Sequence, residues 1–157
     1  MCFRTCGFDT LRSSEFRRTV ESRAARKAAS LGLDNILAPQ PTYYSNRLQR
    51  ASKDEPTGPG TGRETQEAVY NYDPATDVPD EFQPYYKGIQ ACMWTEYISK
   101  PEHLEYMAFP RLIAVAETAW SSSEKKNFSD FLKRMKKDKV FFDYKHYTYG
   151  CHFLDME

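Results

Sequence analysis

Trp94 and Glu96 stand two residues apart at the end of the apolar stretch GIQACMWTEYIS, residues 88–99. Read as a strand, its period of two puts Gln90, Cys92, Trp94 and Glu96 on one face, and Ile89, Ala91 and Met93 on the other. A ring beside a carboxylate at a strand end has a defined chemical capacity. The ring offers a flat apolar surface that suits the C–H face of a pyranose. The carboxylate accepts charge-assisted hydrogen bonds from hydroxyls, about twice as strong as neutral ones. The bland alternatives are a core ring for Trp94 and a helix-cap or surface acid for Glu96. Aromatic residues make up 15% of the chain, which suits either a packed core or a sugar-binding cleft.

Other chemistries find less support. The cysteines are Cys2, Cys6, Cys92 and Cys151, whose spacings form no disulfide framework. Cys92 lies in the apolar run and reads as a buried free thiol. Zinc needs four convergent ligands, and the C-x3-C of Cys2 and Cys6 has no second pair, so no metal site is assigned. The glycine-rich stretch ASKDEPTGPGTGRETQ is not followed by Gly-Lys-Ser/Thr, so it is no phosphate cradle. No cofactor is implied. Lys+Arg and Asp+Glu are both 22, leaving no net field to attract nucleic acid or an acidic membrane. Mean hydropathy is −0.74 with no long apolar run, which argues against a membrane-spanning helix. The first eighteen residues are polar and do not read as a secretion signal.

The elements that must position Trp94 and Glu96 read as α/β. Residues from about Glu15 to Ser30 are rich in Ala, Arg and Glu and predict a helix, with Gly32 as its stop. A short strand follows near Asn35–Ala38, and Pro39 and Pro41 end it, delivering Tyr43 and Tyr44 into a loop. Residues 46–85 are irregular, and an aromatic-rich loop of this length favours a functional, ordered excursion. The GIQACMWTEYIS strand is apolar on both faces, as in a parallel sheet covered on both sides. A helix then starts at Pro101 and Glu102, and Pro110 kinks or restarts it. From there Leu112, Ile113, Ala116, Ala119 and Trp120 recur at helical spacing as one apolar face. A last helix carries Phe128, Phe131, Leu132 and Met135 on its buried stripe and a solvated lysine face at 133–139, and its aromatic tail packs back on the body.

The segment GIQACMWTEYISKPEHLEYMAFPRLIAVAETAWS resembles the last strand and last helix of the catalytic barrel of β-N-acetylhexosaminidases, glycoside hydrolase family 20. The family's G-x-Q-A-x-x-W-T-E stretch is met by Gly88, Gln90, Ala91, Trp94, Thr95 and Glu96. Its Y-M-x-x-P-R-x-x-A-x-A-E-x-x-W helix is met by Tyr106, Met107, Pro110, Arg111, Ala114, Ala116, Glu117 and Trp120. Upstream, AARKAASLGLDNILAPQPTYYSN resembles the preceding helix and strand, and VYNYDP the approach to the last strand. The resemblance spans roughly residues 22–150. It divides the chain into an unassigned segment, 1–21, and the C-terminal part of a (β/α)8 barrel with a terminal helix, 22–157.

The resemblance implies that Trp94 walls a pocket for a terminal N-acetylhexosamine and that Glu96 accepts hydrogen bonds from its hydroxyls. It implies that Tyr44, in Tyr44-Ser45-Asn46, contacts the acetamide, with Tyr43 the candidate in an alternative register. Asn46 departs from the family's Tyr-x-Asp and would bind a hydroxyl without charge. Trp120 is expected in the core, and Glu117 with Arg111 as a structural ion pair. The family hydrolyses terminal N-acetylhexosamines by substrate-assisted catalysis, in which an Asp-Glu pair following two glycines orients the acetamide and supplies the acid/base. Here the Asp-Glu pairs are Asp54-Glu55 and Asp80-Glu81, neither after Gly-Gly. No catalytic residue is therefore assigned. A full barrel needs about 250 residues, and only two barrel strands are legible. The expected partners are N-acetylhexosamine-containing glycans and the missing N-terminal part of the barrel. The alternative is a non-catalytic carbohydrate-binding or interaction module derived from that barrel. Family members usually work outside the cytoplasm, and the chain carries no address of its own.

Overall fold

Three short parallel strands carry the rest of the molecule in a computed structural model that describes residues 17–19, 22–60, 62–74, 76 and 78–156. They are β1 (Arg17–Thr19), β2 (Asn35–Leu37) and β3 (Tyr86–Ile89), in spatial order β1-β2-β3. Arg17 lies opposite Asn35 and Thr19 opposite Leu37. On the other side of β2, Asn35 lies opposite Tyr86 and Leu37 opposite Ile89, with one register irregularity between Asn35 and Ile36. Parallel neighbours need crossovers. Helix α1 (Ser22–Ala29) makes the first. Residues 40–85 make the second, with α2 (Gln40–Tyr43), α3 (Gln66–Asn71) and a 3-10 segment at Asp80–Tyr85. After β3 come α4 (Pro101–Ala108), α5 (Arg111–Trp120) and α6 (Phe128–Tyr144).

The sequence reading needs correction at both ends of this sheet. The helix expected from about Glu15 begins at Ser22, and Arg17–Thr19 is a strand instead, so the sheet has three parallel strands rather than two. Arg-rich composition favours a helix by tenths of a kcal/mol per residue, which a ladder of backbone hydrogen bonds overrides. The GIQACMWTEYIS strand starts earlier and stops earlier than its apolar pattern suggests. Tyr86–Ile89 is the strand proper, Cys92 adds one isolated bridge to Tyr44, and Trp94 and Glu96 lie beyond it in the following loop. The segment 46–85 also contains α3, whose start Thr65 caps by accepting a hydrogen bond from Ala68 N.

Gly32 does stop α1. Its φ is +74°, Leu33 N donates to Ala28 O at 3.0 Å, and Gly32 N donates to Ala29 O at 2.9 Å. That is the Schellman arrangement, which wants a left-handed residue here. Gly32→Ala is expected to cost about 1–2 kcal/mol in urea unfolding, the steric cost of a Cβ in this region. A loss under a few tenths would show that the turn relaxes.

Pro110 restarts the helix as expected. The buried stripe of α5, however, is Arg111, Ala114, Val115 and Thr118, not the Leu112–Trp120 face. Trp120 is 57% exposed, correcting its assignment to the core. The cause is α3. Thr118 Oγ1 donates to Tyr70 O at 3.1 Å, so the small residues of α5 face α3, and Leu112, Ile113, Ala116 and Ala119 are left half-buried. On the next helix Phe131, Leu132 and Met135 are buried with Phe142, and Phe128 packs beside them. Tyr147 and Phe153 from the chain's end return to this core.

Candidate sugar-binding site

Backbone pairing continues past the strands and brings the site together. Gln90 N donates to Leu37 O at 2.7 Å, Cys92 N to Tyr43 O at 2.7 Å, and Ser45 N to Cys92 O at 2.8 Å. Segments 43–46 and 90–96 thus run side by side at the C-terminal ends of β2 and β3. Pro39 and Pro41 fix the turn of α2 that places them there, Pro41 sitting in the first turn, where no N–H is needed. Cys92 is buried, as its apolar setting suggested.

Four residues singled out in the sequence meet here. The rings of Tyr44 and Trp94 lie 6.2 Å apart at 51°, and Asn46 Nδ2 donates to Glu96 Oε1 at 3.1 Å. All four line a cavity of about 270 Å³. Trp94 is 45% exposed, so it is a surface ring and not part of the core. Tyr43 is fully buried against Tyr72, with burial raising its hydroxyl above the usual tyrosine range. The cavity therefore takes Tyr44, and the Tyr43 register places no ring in it.

Three further residues line the cavity: Gln40, Arg47 and Pro59. Pro59 comes from the glycine-rich loop, whose length signalled function without naming a residue. Arg47 directly follows Asn46 and could have been noticed there. Neither Asp-Glu pair reaches the cavity. Glu55 is buried against Tyr106, whose hydroxyl donates to Oε1 at 2.6 Å, and it also pairs with Arg50 at 3.3 Å. Asp54 hydrogen-bonds Ser52, and Asp80 and Glu81 are exposed in the 3-10 segment.

Beneath the cavity lies Arg111, fully buried. It does not pair with Glu117, as the sequence had suggested. Residues 111 and 117 are six apart, about 120° around a helix, so their side chains diverge. Arg111 instead pairs with buried Glu64 at 3.1 Å, while Glu117 binds Arg134 of α6, Nη1 to Oε2 at 2.8 Å. Arg111 also donates to Ser45 O and Arg47 O, each at 2.7 Å, and to Met107 O at 2.5 Å. One guanidinium thus pins both carbonyls flanking Asn46.

The chemistry of this arrangement is recognition: an aromatic wall, a carboxylate and an amide at strand ends. The sequence profile of the glycosyl hydrolase family 20 catalytic domain matches residues 14–123, well over half of the 157-residue chain. The chain belongs to this family. Its similarity to a β-hexosaminidase of Porphyromonas gingivalis is 37% identity over 110 residues, covering 69% of this chain and 14% of that protein. A β-hexosaminidase of Vibrio furnissii is 34% identical over 100 residues, 62% of this chain and 16% of the relative. Among solved structures, a family 20 exo-β-N-acetylglucosaminidase of Vibrio harveyi in complex with N-acetylglucosamine superposes with a TM-score of 0.80 at 32% identity. That match covers 86% of this chain and 22% of the other. A Streptomyces plicatus β-hexosaminidase holding N-acetylglucosamine gives 0.76 at 26% identity, covering 87% and 29%. The chain thus has the fold of part of a family 20 TIM-barrel catalytic domain and spans under a third of these relatives' length.

Burial raises Glu64 from 4.5 to about 7, against the opposing pull of Arg111. Arg47, Ser45 and the Tyr44 backbone also favour its ionised form, while Glu64 in turn acts on Tyr43. A folded pKa above the unfolded one means the native state holds the proton more tightly. The associated stability is fully present below about pH 4.5 and is lost as pH rises through about 7. Thermal unfolding of the wild-type chain and Glu64→Gln across pH 4–8 is expected to show a downward slope in the first that the second lacks. Parallel profiles would remove Glu64 as its source.

Proposed function

We propose that this chain is the C-terminal part of a β-N-acetylhexosaminidase barrel, residues 22–157, supplying part of the pocket for a terminal N-acetylhexosamine but not the Asp-Glu pair that cuts it. Trp94 walls the sugar, Tyr44 contacts the acetamide, and Glu96 with Asn46 receives hydroxyls. The observation that carries this reading is the convergence of these four side chains on one cavity at the ends of adjacent parallel strands, where barrel active sites lie. The position of Glu55, buried on Tyr106 and Arg50 and away from the cavity, supports the absence of a catalytic pair. The half-buried Leu112, Ile113, Ala116 and Ala119 beside exposed Trp120 are what a barrel helix shows when its neighbour is supplied by other residues of the domain.

Two measurements test this. The purified chain is expected to turn over no chromogenic N-acetylglucosaminide, and robust turnover abolished by Glu55→Gln or Glu81→Gln would refute it. N-acetylglucosamine is expected to perturb tryptophan fluorescence, and Trp94→Ala to remove both signal and binding. Undiminished binding in Trp94→Ala would move the sugar to a different site.

A further inference from the structure

Glu55 is a buried acid to which the sugar pocket gives no direct part. Its side chain is 1% exposed, yet it lies outside the cavity. Burying a carboxylate is costly unless its oxygens are bonded, and here both are. Oε1 accepts from the Tyr106 hydroxyl at 2.6 Å and pairs with Arg50 Nε at 3.3 Å, and Oε2 accepts from Gln49 N at 2.9 Å. Tyr106 grips the same turn a second time, its carbonyl accepting from Gln49 Nε2 at 2.5 Å. Residues 49 and 55 are thus both fastened to α4, and Glu55 closes the turn between them by reaching back to the Gln49 backbone.

The residues after Glu55 reach the pocket. At Gly58 a Cβ would stand 2.8 Å from Leu48 Cδ2 and 3.4 Å from Asn46 O, so the chain returns onto the segment that carries Asn46. Pro59 comes next and lines the cavity. The far end of this loop is tied where Leu48 bridges Arg63 and Glu64 N donates to Leu48 O at 2.9 Å. The other described lining residues stand on segments 40–47 and 94–96, which continue from β2 and β3. Among the described lining residues Pro59 alone comes from the 49–60 loop, so its place depends on how that loop is anchored. A binding site needs its groups held to about 0.5 Å by neighbours that are themselves locked.

We propose that Glu55 is a positioning residue of the sugar pocket: bonded to Tyr106 of α4, it holds the 49–60 loop so that Pro59 stays in the cavity wall beside Asn46. The inference rests on the N-acetylhexosamine reading above and adds to it a residue that touches no sugar. It also gives Tyr106, the first residue of the Y-M-x-x-P-R stretch, a part in the pocket, since its hydroxyl and its carbonyl both fasten this loop.

The test measures N-acetylglucosamine affinity by calorimetry for the wild-type chain, Glu55→Gln, Tyr106→Phe, the double variant and Gly32→Ala, each under conditions where it is folded. Glutamine keeps the volume of Glu55, but its single carbonyl oxygen cannot serve Tyr106 and Gln49 together, and it carries no charge for Arg50. Glu55→Gln is expected to weaken binding about tenfold, the effect of losing a charge-assisted bond. Tyr106→Phe is expected to weaken it about threefold, and the double variant no more than Glu55→Gln alone, because both act through one contact. Gly32→Ala loses stability at the end of α1 and is expected to bind as the wild type does, which separates positioning from stability. Should Glu55→Gln fail to fold, Tyr106→Phe against Gly32→Ala decides. Wild-type affinity in Glu55→Gln or in Tyr106→Phe, additive losses in the double variant, or an equal loss in Gly32→Ala overturns the inference and leaves the sugar pocket standing. Failure of the wild-type chain to bind the sugar overturns the N-acetylhexosamine reading, and this inference with it.

Discussion

Arg111→Met is expected to destabilise this chain by about 3–5 kcal/mol, the range for removing one partner of a buried ion pair. The guanidinium is fully buried and bonds the Glu64 carboxylate together with the carbonyls of Ser45, Arg47 and Met107. Methionine fills most of the volume but donates nothing. A buried carboxylate and several buried carbonyls would be left without partners, each at a cost of about 1–3 kcal/mol. Domains of this size are stable by only about 5–15 kcal/mol, so the loss is a large part of the whole. The urea midpoint should fall steeply with the slope little changed. Arg111→Met with Glu64→Leu is expected to recover much of the loss, because an apolar pair leaves no orphan charge. A single-variant loss under about 1 kcal/mol would mean that water reaches the site and that the pair does not hold the pocket. The expectation also bears on function, since the same guanidinium holds the carbonyls on either side of Asn46, between the two cavity residues Tyr44 and Arg47.

Phe131→Ala is expected to cost about 3–5 kcal/mol, whereas Trp120→Ala stays within about 0.5 kcal/mol of wild type. Phe131 is 1% exposed and packs on Tyr70 with ring centroids 4.6 Å apart and on Phe128 at 6.2 Å. Its truncation opens a cavity where α3, α5 and α6 meet. Tyr70 is tied into the same junction, its hydroxyl accepting from Asn127 N at 2.8 Å at the start of α6. Nearby helices cannot close that space without giving up this bond. Trp120 is the larger side chain and the more tempting core residue in the sequence, yet it stands in solvent here. Chemical denaturation of the two variants side by side checks the contrast. A loss for Trp120→Ala comparable with that for Phe131→Ala would show that the Leu112–Trp120 face is covered in solution.

The contrast between these two rings marks how far the sequence reaches. Local signals were legible wherever one residue's chemistry dictates its backbone. Gly32 takes the left-handed turn only glycine accepts cheaply, Pro110 interrupts and restarts a helix, and Pro39 and Pro41 end a strand and open a turn. The residues of the cavity were legible for a different reason. Trp94, Glu96, Tyr44 and Asn46 sit in motifs whose spacing is dense enough to resemble a single family, and the match over residues 14–123 bears the family out. Arg17–Thr19 was not legible, because a three-residue strand has no period of its own and draws its stability from a neighbour eighteen positions away in the chain.

The sequence by itself determined the family, the order of the elements from α1 through β2 and β3 to the last three helices, and four of the residues that converge on the cavity, all properties of local chemistry and fixed spacing. Tertiary structure alone decided which face of α5 is buried, since two apolar stripes compete on that helix and only the approach of α3 selects the smaller one. It alone decided that Arg111 pairs with Glu64, forty-seven residues away, and not with Glu117 on its own helix. It also decided that Arg47 lines the cavity, with its guanidinium beside Gly62 of another loop. Each of these depends on a group brought close by folding, and no periodicity in the chain encodes which group that will be.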